Sequence, residues 1–340
     1  MKLLKYTLLS LGVAALAAAA SSCGEIKRGE YVDGSAKLFC DDGFRNVLEE
    51  EIEVFEYTYP NASIIPFYMS ESDAMDSLLN DKCQGVIVTH ELTKEDRDYL
   101  KAKYKRVAKC QPIAVDAVAL IVNKDNPVTA IDMQQIKALL NGELTNWNQL
   151  AGTDTTKVQI VFDSQGSSTV SYMRDKFLPK GKLISENPNA RAQKNNAEVF
   201  DVVKKNPRAL GIISVSWLGD YLENAKNIPM DKKMQVYENP NDTVASRFTT
   251  EVKVLKVSNP TAENDFDPVA YAPYQVYINS GEYPLFRKVY MISSAPKSSV
   301  MNSFYSFVTG FVGQKIISMT GIMPWHVNRR VVQLRGNDKK

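Results

Sequence analysis

The chain has 340 residues, and its 41 Lys+Arg against 39 Asp+Glu give a formal net charge of +2. That near-neutral balance excludes a nucleic-acid binder or a strongly basic membrane-surface protein, both of which need a basic footprint. Two histidines, and four cysteines without paired short spacing, exclude a multi-ligand transition-metal site, and neither metal nor cofactor is expected.

At the N-terminus, Lys2 and Lys5 precede an uncharged apolar run from Thr7 to Ala20. The run is too short to span a bilayer and reads as a secretory h-region. Ala20, Ser21 and Ser22 then lead into Cys23, a pattern that resembles a bacterial lipobox, in which the cysteine becomes the lipidated first residue. Residues 1–22 are therefore expected to be a signal peptide and 23–35 a tether carrying Gly29 and Gly34. The mature protein is expected in the periplasm or cell envelope, anchored to the membrane by lipid on Cys23. About 318 residues remain, enough for two domains. Cys40, Cys83 and Cys110 stay with them, and one disulfide plus a free thiol is expected in an oxidising compartment, the pairing left open.

Strands and helices then alternate. Short apolar runs at Lys37–Cys40, Ala62–Phe67, Gly85–Thr89, Ile113–Asn123 and Lys157–Phe162 predict strands. Between them, Phe44, Val47, Leu48, Ile52 and Phe55 share one helical face, as do Met75, Leu78 and Leu79. The alternation predicts an α/β architecture with parallel strands. Three helix starts each follow a predicted strand: Asp41-Asp42-Gly43-Phe44, the capping box Ser70-Glu71-Ser72-Asp73, and Ser167-Ser168-Thr169 after Gly166. Each alone is an ordinary N-cap. Brought together, their free N–H groups and helix dipoles would cradle an anion. Thr93-Lys94-Glu95-Asp96 is a further capping box, read as structural.

The stretch Ile113-Ala114-Val115-Asp116-Ala117-Val118-Ala119-Leu120-Ile121-Val122-Asn123, with Asn126-Pro127 and Asn141-Gly142-Glu143-Leu144-Thr145-Asn146-Trp147, resembles the periplasmic phosphate-binding proteins of ABC importers (PstS-like). Gly166-Ser167-Ser168-Thr169 is similar to that family's anion loop, and Asn206-Pro207-Arg208-Ala209-Leu210-Gly211-Ile212-Ile213 to a later segment. Tyr283-Pro284-Leu285, Gly313-Gln314-Lys315-Ile316-Ile317 and Gly321-Ile322-Met323-Pro324 resemble its return strand and C-terminal helix. The resemblance implies a two-lobed periplasmic-binding-protein fold (type II) with two crossing strands as hinge. It puts lobe one at 36–121 and 283–335, lobe two at 122–282, and the ligand in the cleft between them. It also implies that Asp41, Asp42, Gly43, Phe44, Ser70, Ser72, Thr89, His90, Asp163, Gly166, Ser167, Ser168 and Thr169 line the ligand site.

Charge separates this chain from its family pattern. Where the family commonly has an arginine four residues before the loop serine, this chain has Asp163, and Gln165 stands where an aspartate is common. A carboxylate there can accept the proton of hydrogen phosphate and repel sulfate, or it can be a turn or hinge acid. His90 stands where aspartate or arginine is usual; it is either a local cation or a neutral histidine satisfied by backbone.

The resemblance thus implies capture of inorganic phosphate or a similar oxyanion for an ABC permease complex; the alternative is a binding or sensory lipoprotein for a different small anion. An enzyme is not expected: the chain has neither a G-x-S-x-G nucleophile elbow nor a Walker loop.

Overall fold

Residues 32–151, 154–225, 227–239, 247–260 and 269–326 are described in a computed structural model. Cys23, the signal peptide, most of the tether and positions 327–335 lie outside the described residues.

The chain opens with β1 (Gly34–Asp41), a single 3-10 turn (Asp42–Phe44) and α1 (Arg45–Thr58), then β2 (Ala62–Met69), α2 (Glu71–Leu79), β3 (Gly85–Val88), α3 (Lys94–Tyr104) and the long β4 (Lys109–Asn123). The middle holds β5 (Ala130–Asp132), α4 (Met133–Asn141), β6 (Gln159–Phe162), α5 (Ser168–Phe177), β7 (Ala190–Ala192), α6 (Asn196–Lys205) and β8 (Ala209–Ser214). α7 (Tyr221–Ala225), α8 (Met230–Glu238), β9 (Val252–Val254), β10 (Lys256–Ser258) and α9 (Gln275–Asn279) follow. The return is made by β11 (Phe286–Ser293), α10 (Val300–Val308), α11 (Phe311–Met319) and β12 (Met323–Pro324).

Local chemistry explains the boundaries. Thr93 and Asp96 form the predicted reciprocal capping box and Ser167 accepts from Val170 N, while Ser70 accepts from Asp73 N but the Asp73 carboxylate takes the Ser70 hydroxyl, so that predicted box is only half made. α4 begins on the Asp132–Gln135 box and stops at Gly142, whose φ of 80° is a left-handed position that glycine reaches without strain. The α1 face predicted from spacing is buried, with Phe55 fully enclosed and its ring 5.1 Å from that of Phe304 on α10. Burying each such side chain contributes about 1.5–3 kcal/mol. On α2, Leu78 is buried while Met75 and Leu79 are half-buried.

The main sheet runs β2-β1-β3-β11-β4-β8-β6-β7, with β9 and β12 also on β4. β1 pairs in parallel with β2 and β3; β6 pairs in parallel with β7 and β8. β4 joins the two groups. Its Lys109–Ala117 portion pairs with β11, and its Val118–Val122 portion pairs with β8, both antiparallel. Ile113 to Asn123 is buried throughout, which is why the strand reads as a continuous apolar run. The returning chain passes the same point: Val118 N donates to Leu285 O, and Tyr283 OH donates to Val118 O. This is the two-lobed α/β arrangement that the resemblance implied. The C-terminal ends of β1, β2, β3, β6 and β8 carry Asp41, Ser70, Thr89, Asp163 and Ser214 to the seam between the lobes, the usual ligand edge of open α/β sheets.

The expected disulfide is not formed. Cys40, Cys83 and Cys110 are all free thiols. Burial pushes each thiol upward, Cys83 to about 11, so they stay protonated and pack as small apolar groups.

One core position is polar without compensation. Glu51 on α1 faces a lining that includes Phe44, Leu48, Ile87, Val289 and Ile317, and neither carboxylate oxygen has a hydrogen-bond partner. Burial, with Glu50 adding, drives its protonation well above the ordinary carboxylate range. A raised folded-state value means that this carboxyl favours the fold below the unfolded range near 4.5 and loses that contribution as pH rises. Glu51→Leu should therefore stabilise the protein by about 1–3 kcal/mol, the cost of burying an unpartnered polar group, and by more at pH 8 than at pH 5. Urea unfolding at both pH values measures this; equal stability of variant and parent would show that the carboxyl is satisfied.

Candidate functional site

Asp41 ends β1 and is fully buried. Its Oδ1 accepts from Gly43 N at 3.0 Å and from Ser168 Oγ at 2.8 Å, and its Oδ2 accepts from Ser168 N at 3.0 Å. Ser168 is the first residue of α5, so an acid of the first lobe fills the start of a second-lobe helix. Asp42 does the same one helix further on. Its Oδ1 binds Arg45 Nε and Nη2, while its Oδ2 accepts from Asn196 N at 3.2 Å, at the start of α6. Gly43 O completes the crossing by accepting from Ser216 Oγ at 2.6 Å. A Cβ on Gly43 would stand 2.8 Å from Asp41 Oδ1, so a side chain there would disrupt the clasp.

The second loop meets the third directly. Ser72 N donates to Gly166 O at 3.3 Å, and a Cβ on Gly166 would lie 2.4 Å from Ser72 Oγ and 3.0 Å from Ser70 Oγ. All three helix starts singled out in the sequence thus converge on one seam. Their donors, however, are largely engaged by the protein's own acids. Asp163 accepts from Ser167 Oγ through a short hydrogen bond and from Asn196 Nδ2 at 3.0 Å.

Thr169 Oγ1 accepts from Arg287 Nη2 at 3.2 Å. Arg287 lies on β11 directly opposite Asp116 of β4, and its Nε and Nη2 donate to Asp116 Oδ2 at 3.0 and 2.9 Å. Asp116 Oδ1 accepts from Ser214 Oγ at 2.9 Å. Phe44 is buried with its ring 5.6 Å from the Arg287 guanidinium carbon.

Thr89 and His90 form a separate group held by Glu71. The Glu71 carboxylate accepts from Thr89 N through a short hydrogen bond, from Thr89 Oγ1 at 2.9 Å, from His90 N at 3.1 Å, and pairs with His90 Nδ1 at 2.9 Å. The Glu71 hydrogen bond raises the His90 imidazole, and so favours its cationic form, against the opposing effect of burial. Burial pulls Glu71 upward, but the His90 and Thr89 donors outweigh it and leave the carboxyl below its ordinary range. Thr89, His90, Tyr172, Asp175, Lys176 and Arg287 line a cavity of about 250 Å3.

Three fully enclosed carboxyls, Asp41, Asp116 and Asp163, thus share one guanidinium. Burial raises all three; Asp41 reaches about 6, and Asp163, with the charge of Asp41 adding, about 7. Among the described residues no group of His, Cys, Asp and Glu could hold a metal ion.

The sequence reading passed over Arg287, Asp116 as a charge partner, Asn196 and Tyr172, and took Glu71 only as part of a cap. One signal for Arg287 was available. In Phe286–Ser293 it shares the inward phase with Val289 and Met291, and a charge on an apolar phase needs a buried partner.

Two α/β lobes that share a strand and close on a buried polar seam define an interlobe binding protein. The chain belongs to the PBP superfamily, whose domain model matches residues 30–310. It is similar to the phosphate-binding protein PstS of Pseudomonas aeruginosa, with 24% identity over 309 residues, 83% of this chain and 94% of that protein. PstS of Borreliella burgdorferi is 23% identical over 284 residues, 82% of this chain and 85% of that protein. Among solved structures, a putative phosphate ABC transporter substrate-binding protein with bound phosphate from Clostridium perfringens shares the fold, with a TM-score of 0.66, 20% identity, and coverage of 86% of this chain and 100% of that one.

The Asp163 carboxyl sets a pH dependence of stability. Its folded value of about 7 lies above the ordinary 3.8, so its contribution is complete below 3.8 and is lost as pH rises through 7. Asp163→Asn can keep both partners, since Asn196 Oδ1 is unpartnered and can face the new amide after a side-chain flip. The parent's melting temperature should fall more between pH 5 and pH 8 than the variant's does; parallel profiles would show that Asp163 titrates normally.

Proposed function

We propose that the chain is an extracytoplasmic lipoprotein that captures inorganic phosphate between two lobes, 36–121 with 283–335 and 122–282, and delivers it to an ABC permease complex. The observation that carries this reading is the meeting of Asp41–Phe44, Ser70–Ser72 and Gly166–Thr169 at one seam, where helix starts and hydroxyls surround buried acids. The similar PstS proteins of Pseudomonas aeruginosa and Borreliella burgdorferi are phosphate-binding proteins, which agrees with it. Capture and handover need only binding, and no covalent step is assigned to Ser167 or Ser168.

Phosphate suits the charge at the seam better than sulfate does. Hydrogen phosphate brings a proton that a carboxylate can accept; sulfate at neutral pH brings none. In the full chain purified in detergent, calorimetry should show saturable phosphate binding that excess sulfate does not displace. At least one of Asp41→Asn, Asp42→Asn and Asp163→Asn should narrow the phosphate-to-sulfate affinity ratio by roughly tenfold or more, equivalent to about 1.4 kcal/mol. Both oxygens of each of the three acids already accept hydrogen bonds within the protein, so a ligand proton has to share or displace one of these donors. An unchanged ratio in all three variants would assign the acids to structure and favour a different oxyanion, or a sensory role, as the function.

Anchoring rests on Cys23. Cells fed a labelled fatty acid should incorporate it into the parent but not into Cys23→Ala; equal labelling would place the anchor elsewhere.

A further inference from the structure

We propose that Arg287 is the anion-anchoring cation of this site, supplied by β11 rather than by the loop position that Asp163 occupies. The inference rests on the anion-receptor reading above and names the group that would make it work. Arg287 is 6% exposed, and its Nη1 is buried with no hydrogen-bond partner among the described residues. A guanidinium carries five N–H donors, and a buried donor left unpaired is destabilising by more than an ordinary hydrogen bond contributes. Its other two nitrogens are fixed: Nε and Nη2 are held by Asp116, and Nη2 reaches Thr169 Oγ1. This leaves Nη1, with its two N–H donors, in reserve to donate to an oxyanion from a guanidinium whose orientation is already fixed.

The surroundings favour the same assignment. The α5 start that the sequence pointed to is filled by Asp41, and the α6 start by Asp42, so an incoming anion finds those donors engaged. Arg287 instead borders the cavity with His90, Lys176 and Thr89, against Asp175 as its one lining acid. Asp116 and Thr169 belong to β4 and α5, so the guanidinium is positioned by the shared strand and by the second lobe together. The ligand class is a small tetrahedral oxyanion, held at the Arg287 edge.

The test titrates phosphate, and separately sulfate, onto the full chain in detergent by calorimetry. Arg287→Lys retains a charge for Asp116 but removes the fork, and should weaken the anion the parent binds by at least tenfold. Arg287→Met alone leaves Asp116 buried and unpaired, so it is combined with Asp116→Leu, which removes both charges together. The double variant should keep a cooperative melting transition and bind at least a hundredfold more weakly. If the parent binds and both variants bind within twofold of it, Arg287 is only an ion-pair partner and the proposal falls. A parent that binds neither anion overturns the anion-receptor reading itself, and this proposal with it.

Discussion

The seam depends on consecutive carboxylates from one lobe seated on two helix starts of the other. Asp41 takes Ser168 N and Oγ, and Asp42 takes Asn196 N. Each side of the arrangement needs the other. α5 and α6 would otherwise turn unsatisfied N–H groups toward a buried surface, and the acids would otherwise be buried without donors. The geometry also explains why small residues crowd the crossing. Gly43 must leave room for the Asp41 oxygen, and Gly166 for Ser70 and Ser72. A second long-range ion pair joins helices, where Lys233 of α8 bridges Glu50 and Glu53 of α1 and Tyr237 OH donates to Glu50. There, as at the seam, a buried charge is held by a partner far away in the sequence, here about 180 positions off.

How much of this was legible follows from the range of the interactions. The five strands read from apolar runs, the two helix faces and the caps at Ser70, Thr93 and Ser167 are set within a few residues, and the sequence carried each of them. So was the long β4, because a strand buried on both faces writes a continuous apolar run. The pairings that define the seam are different in kind. Asp41 and Ser168 are 127 positions apart, and Asp116 and Arg287 are 171 apart. No local pattern encodes which acid meets which helix start. The sequence reading therefore brought the three loops to one place by family resemblance, but assigned their donors to a ligand. In the structure Ser167, Ser168 and the α6 start donate to Asp163, Asp41 and Asp42.

The histidine shows the same division. His90 stood out as a lone titratable residue beside a predicted strand end, and both a cation and a backbone-satisfied imidazole fitted that position. Its partner is Glu71, inside a segment that the sequence offered as a capping box. The cap is real, since Ser70 accepts from Asp73 N, but the residue between them turns inward and ties the ends of β2 and β3 together. One tetrapeptide thus does two jobs on two faces of a helix start. A reading confined to periodicity sees the first alone, because the second depends on a residue 18 positions away.

Charge then decides what the seam can hold. Asp41, Asp116 and Asp163 lie beside a single guanidinium, and burial raises all three acids. If all were ionised, the local charge would be negative in a region that water does not screen, where opposed charges act most strongly. Two adjustments relieve it: a proton retained between Asp41 and Asp163, or a group that donates to them. A fully deprotonated dianion offers neither, whereas an oxyanion that still carries a proton offers the second. The loop position where the family pattern carries an arginine thus holds an acid, Asp163, while the fixed positive charge beside it is Arg287 of the β4–β11 pair. Burial and the charge of Asp41 raise that acid to about 7, so in the proposed anion receptor its protonation sets which form of an anion the seam tolerates.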